Sequence, residues 1–278
     1  EVYNELKKIN DDVTVVMAPA FGLEYFGQQH FDDYLFPLSG FSNKKTINCN
    51  ENGYYSIFQS DRFGFNNPDT EWDKEEIEFL LVGDSFTMGS CVNRPNDIAS
   101  KLRIFSNQSV LNLGYVANGP LFQYATLREY LKEDVKNIIW LYYENDIFDL
   151  DRDLKSNILL EYLKDKNFSQ NLKIKQKKID NSLDEFLIKV EALEAKKLLI
   201  DKKEKSSLVY KIEKFLTLKN IRELFLNKYL LKYNIEKKIR PEFEQILSKS
   251  KELSDKNNSK FYFVFLPSYE RYAYGYDK

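Results

Sequence analysis

Gly83-Asp84-Ser85 closes a run of buried-strand character, Glu76-Ile77-Glu78-Phe79-Leu80-Leu81-Val82, and stands before a helical segment. A serine on a sharp strand-to-helix turn presents its hydroxyl at a sheet edge, where a base can reach it and make it a nucleophile. Two later strands end in similar clusters: Ser109-Val110-Leu111-Asn112-Leu113 runs into Gly114, and Lys136 to Tyr143 runs into Glu144-Asn145-Asp146. Acyl transfer needs donors aimed at the oxyanion that forms on the attacked carbonyl. The backbone N–H groups of Ser85 and Gly114 and the side-chain amide of Asn145 are three candidates, with Asp84 and Asp146 beside them as candidate substrate contacts. Taken singly, each has a plainer reading: Gly83-Asp84-Ser85 as a turn with a helix cap, Gly114 as a turn glycine, Asn145 as a loop amide. Their order at three successive strand ends points to function, because ligands of open α/β sheets bind beyond the carboxyl ends of the strands.

The elements that must position these residues alternate strand and helix. Pro95-Asn96-Asp97 opens a helix expected to turn Ile98, Leu102 and Ile104 or Phe105 toward the sheet. A second helix from about Pro120 carries Leu121, Tyr124, Ala125, Leu127 and Leu131 at the spacing of one apolar face. Such alternation specifies a doubly wound, mostly parallel sheet in an α/β/α sandwich. Residues 74–150 form its first part. Residues 240–278 return to it through the strand Lys260-Phe261-Tyr262-Phe263-Val264-Phe265-Leu266. Residues 1–73 read as an N-terminal arm with the strand-like Val13 to Ala18, then Asn- and Gly-rich loops whose Tyr54, Tyr55, Phe58, Phe63 and Phe65 pack the core. Residues 151–239 read as a helical insertion, periodic over 182–199 and 208–231, with a third periodic stretch over 241–253. The basic run from Lys173 to Lys178 is read as a solvated face.

Composition removes several chemistries. The 278 residues hold 41 Lys and Arg against 43 Asp and Glu, a net charge of -2, so no global field draws the chain to nucleic acid. His30 is the single histidine, which excludes a three-histidine zinc site, and two cysteines exclude a four-cysteine site. No cofactor or metal is expected. A third reading keeps Asp84, Asp146 and Asp149 as carboxylates for Mg²⁺ and phosphoryl chemistry. Cys49 and Cys91 are free thiols or one disulfide, with free thiols preferred. No apolar run is long enough to span a bilayer.

Phe79-Leu80-Leu81-Val82-Gly83-Asp84-Ser85-Phe86 resembles the first block of the SGNH/GDSL hydrolases, Val110-Leu111-Asn112-Leu113-Gly114 the second, and Asn145-Asp146 the third. Ser60 to Pro68, the helix from Gly119-Pro120-Leu121, and Phe265-Leu266-Pro267 resemble a bacterial, often membrane-anchored branch of that superfamily. The resemblance covers roughly residues 55 to 150 and 240 to 270. It implies a doubly wound α/β/α fold, Ser85 as nucleophile and first oxyanion donor, Gly114 as backbone donor and Asn145 as side-chain donor. It also implies acyl esters of bacterial surface carbohydrate or lipid as substrates.

Two departures stand out. The third block is usually Gly-x-Asn-Asp, and here Tyr143 holds the glycine position. The fourth block, Asp-x-x-His, is missing before Lys278, while His30 precedes the sheet in an aromatic stretch and reads as a packed or surface residue. A serine without a base is a poor nucleophile. Glu1 in place of a Met, and a strand-like run with no closing helix, lead to the expectation of a piece of a longer chain. Its base would lie beyond Lys278 and its membrane anchor outside this chain, in an extracytoplasmic setting. The expected function is a serine ester hydrolase or O-acyltransferase, nearly inactive as this chain stands. The alternative is a catalytically dead module that binds carbohydrate or a protein partner.

Overall fold

A computed structural model describes residues 13–20, 35–51, 53–206, 240–269 and 273. His30 and the periodic segment 208–231 lie outside them. The chain divides into two compact units, 1–184 with 241–278, and 185–240. The helices of 151–184, expected within the insertion, therefore belong to the unit that carries the sheet.

That sheet has four strands, β4 (Ile77–Gly83), β5 (Val110–Asn112), β6 (Val135–Tyr143) and β7 (Lys260–Leu266), in the order β5-β4-β6-β7, all parallel. Three short strands, β1 (Val13–Val15), β2 (Lys45–Ile47) and β3 (Ile57–Gln59), form a separate mixed sheet. The helices are α1 (Ser85–Met88), α2 (Ile98–Ser106), α3 (Pro120–Tyr130), α4 (Asp146–Asp153), α5 (Asn157–Lys164), α6 (Gln176–Ser206) and α7 (Pro241–Lys256). The crossovers put α2 on one face, packed against β5, and α3 and α7 on the other, where they pack together. The fold is thus α/β and doubly wound, with the strand order of flavodoxin-like sheets.

Side chains alternate between those faces. Leu81, Val110 and Leu141 pack with Ala99 of α2, joined by Phe79, Ile139 and Leu102. Leu80, Ile138 and Trp140 are buried toward the other side, where Trp140 reaches Gln123 of α3. One expectation for α2 is corrected. Leu102 packs on the sheet as expected, but Ile98, Ile104 and Phe105 are exposed, Phe105 to 83%. Small Ala99 and Ser100 face inward instead, because α2 lies close to the sheet and Arg103 is turned toward the start of β5.

The outer edge of β5 is sealed by side chains. Val110 N–H donates to Glu71 Oε2, Val110 C=O accepts from Arg103, and the Asn67 amide bonds both backbone groups of Asn112. An open strand edge invites pairing with another chain, and this cover removes the opportunity. Asp61 holds the covering loop in shape by accepting from Phe63 N, Phe65 N, Asn67 Nδ2 and Trp72 Nε1. Burial still pushes its carboxyl up to about 6. Gly64 sits at φ 86° with its α-carbon against Gly40, where a Cβ would lie 2.0 Å from the Gly40 carbonyl oxygen. The preference for free thiols is also corrected: Cys49 and Cys91 form a disulfide, which ties the segment after α1 to the loop between β2 and β3.

Candidate active site

The chain runs from β4 outward to β5, then back across β4 to β6, so the switch point lies between the carboxyl ends of β4 and β6. Gly83 is in register with Leu141, and β6 continues two residues further to Tyr143. Ser85, two residues beyond Gly83, therefore stands level with the end of β6. Gly83 permits the sharp rise into α1: a Cβ there would lie 2.5 Å from the Leu141 carbonyl oxygen and 2.0 Å from Thr87 Oγ1.

Ser85 is partly exposed and opens α1. Its Oγ lies 3.4 Å from Asp84 Oδ2. The Ser85 N–H stands in the first turn of α1, where backbone N–H groups have no intrahelical acceptor. Asp84 is buried, and its Oδ1 accepts from Phe86 N at 2.9 Å, so it caps the short helix that presents the serine. Asn145 is exposed at the start of α4, and its side chain makes no capping bond.

Gly114 is placed differently from the expectation. Its N–H donates to Asn112 Oδ1 at 2.8 Å and is buried, so it is spent within the fold and is not aimed at a substrate. The need for glycine there is steric. A Cβ at 114 would lie 2.5 Å from Thr87 Cβ and 2.6 Å from Met88 N, so the end of β5 packs directly beneath α1.

Asp146 also points inward. Its carboxylate accepts from Tyr143 N and Gln123 Nε2, each at 3.0 Å, and Gln123 in turn accepts from Trp140 Nε1. Burial, and then the neighbouring Asp84, hold the Asp146 carboxyl well above the usual carboxylate range. Burial raises Asp84 too, with Asp149 adding to the effect. Asp146 thus shapes the turn that carries Asn145 and does not reach out to a ligand. Asp149 pairs with Arg152 at 2.9 Å. Among the described residues no three acidic, histidine or cysteine side chains converge as a metal site, which removes the Mg²⁺ reading of Asp84, Asp146 and Asp149.

Three features were missed in the sequence. Phe86 and Tyr143 stack with ring centroids 3.9 Å apart and planes 25° apart, beside Ser85. The signal was Tyr143 in a position the resembled family gives to glycine. Gln123, the link between Trp140 and Asp146, had no local signal. Glu144, just before Asn145, accepts from Ser268 N at 2.9 Å, so the segment leaving β7 is held next to the Asn145 turn.

No known protein family profile matches the sequence, and no curated protein matches it. Among solved structures, the chain has a likeness to AlinE4, described as an SGNH-hydrolase family esterase, at 18% identity and a TM-score of 0.24. The match covers 34% of this chain and 56% of that one, so it spans little more than half of the esterase.

Proposed function

We propose that this protein is a serine acyl-transfer enzyme, an ester hydrolase or O-acyltransferase, in which Ser85 forms the acyl-enzyme. The observation that carries the reading is the placement of Ser85: a partly exposed hydroxyl on a tight turn at the switch point of a parallel sheet. The Ser85 N–H and the uncapped Asn145 amide serve as oxyanion donors. Gly114 supports α1 from below. The Ser85 proton passes to a general base, and the Glu144–Ser268 bond holds the segment leaving β7 beside the Asn145 turn. The substrates are acyl esters of carbohydrate or lipid. The Cys49–Cys91 disulfide suits an oxidising, extracytoplasmic compartment.

The test is hydrolysis of short-chain p-nitrophenyl esters, and acyl transfer from them to hydroxyl acceptors, by the 278-residue chain and by its Ser85→Ala variant. Turnover that falls by about 10³-fold or more in the variant supports the proposal. Absence of Ser85-dependent turnover toward both water and hydroxyl acceptors leaves a binding module in the same crevice as the better reading.

A further inference from the structure

The Phe86–Tyr143 stack joins the two turns that define the site, since Phe86 follows Ser85 directly and Tyr143 stands two residues before Asn145. Phe86 remains 47% exposed in spite of the stacking. One ring face is therefore covered by Tyr143 while much of the side chain stays open to solvent, immediately beside the nucleophile. The groups beside the ring are polar: the Ser85 hydroxyl and the exposed Asn145 side chain, which makes no capping bond. This pairing of an open flat apolar face with hydrogen-bonding neighbours calls for a ligand that is itself amphipathic and flat. A pyranose ring meets that description, with C–H groups on its face and hydroxyls at its rim. A long acyl chain does not, because such chains are held by enclosure in apolar pockets.

We propose that the Phe86–Tyr143 stack is the substrate-selecting wall of the Ser85 site, and that it receives the sugar ring of an O-acylated pyranoside while the ester carbonyl lies over Ser85. The assignment rests on the serine acyl-transfer reading above. Phe86 supplies the contact face. Tyr143 backs that ring and fixes its orientation, a duty that glycine at 143 cannot perform. The two residues determine specificity and take no part in bond making.

The experiment has a binding arm and a turnover arm, so that failure of the wall and failure of the serine mechanism are told apart. In the binding arm, saturation-transfer NMR follows an acetylated methyl pyranoside on Ser85→Ala protein, with and without Phe86→Leu or Tyr143→Leu. Leucine keeps apolar packing but removes the flat face, and circular dichroism checks that each variant is folded. The expected result is transfer strongest to the ring C–H protons, with affinity reduced roughly tenfold by Phe86→Leu. In the turnover arm, kcat/KM for the acetylated pyranoside is divided by that for ethyl acetate, which has no ring. That ratio is expected to fall roughly tenfold in Phe86→Leu. No detectable binding of the pyranoside, or unchanged affinity in a folded Phe86→Leu protein, overturns the wall whatever the turnover arm gives. Ser85-dependent turnover that prefers long-chain acyl glycerols over the pyranoside overturns the sugar assignment and leaves Ser85 in place. Selective binding without any Ser85-dependent turnover supports the wall and counts against the serine mechanism.

Discussion

The side-chain amide of Asn67 meets the backbone of Asn112 with both of its halves, Oδ1 accepting the N–H at 2.9 Å and Nδ2 donating to the C=O at 2.8 Å. A loop asparagine thus completes the outer edge of β5 as a neighbouring peptide group would. The same amide also donates to Asp61 and accepts from Arg103.

Replacing Asn67 with Ala leaves several buried groups without partners at once. The expected cost is roughly 2–4 kcal/mol, from the desolvation of the orphaned groups. Urea denaturation measures it. A loss below about 0.5 kcal/mol, the range of ordinary surface substitutions, would show that water replaces the amide without penalty.

Gly114→Ala separates the two duties weighed for that residue. Because its N–H is already held by Asn112 and a Cβ would collide with α1, the substitution should cost about 3 kcal/mol or more and displace the Ser85 turn. Denaturation together with serine-directed phosphonate labelling reads both effects. Full stability with slowed labelling would instead return Gly114 to the role of a substrate-facing donor.

Stability should fall as pH rises from about 5 to about 8. Burial raises Asp61 to about 6 and Asp153 to about 7 from an ordinary 3.8, and it raises Asp84 and Asp146 as well. The folded protein therefore keeps protons that the unfolded chain has released. The contribution is fully present below the unfolded-state values near pH 4 and is lost as pH climbs through the folded ones. Asp69, lowered by Arg62, acts in the opposite sense, but the pair is exposed enough to be well screened. Urea midpoints taken at intervals of about one pH unit across that range test the sign, and a rise would contradict it. Asp153→Asn should remove its part of the slope, which runs from the unfolded value near 4 up to about 7.

Reduction of Cys49–Cys91, or replacement of both by Ser, should lower stability by about 4 kcal/mol. This is the chain-entropy value for a loop of the observed separation of 42 residues. Thermal unfolding with and without reductant, compared with the double-Ser variant, provides the measurement. A reductant effect that persists in the double-Ser protein would assign the loss to something other than this bond.

The strands were legible in the sequence because a parallel strand buried on both faces must be apolar almost throughout, as Phe79 to Val82 and Ile138 to Tyr142 are. The turn that carries Ser85 was legible for a related reason: glycine and a capping aspartate have few other uses between a strand and a helix. Contacts distant in sequence were what escaped. Nothing near Gly114 announces the close approach of Thr87 and Met88, and nothing near Cys49 announces Cys91. The spacing of α2 suggested Ile98, Leu102 and Ile104 or Phe105 for the core, but close approach to the sheet favoured Ala99 and left all but Leu102 outside. The helices of 151–184 share the Lys- and Leu-rich composition of residues 185–239, so composition drew a boundary that packing does not respect.

The protein has only two tryptophans, and each indole is wired to a different buried carboxyl. Trp72 donates to Asp61 directly, and Trp140 reaches Asp146 through Gln123. The molecule therefore carries two built-in optical reporters: emission from Trp72 follows the protonation of the loop that seals β5, and emission from Trp140 follows the turn beside Ser85. With Trp72→Phe and Trp140→Phe proteins, each region can be watched alone in solution without an added label.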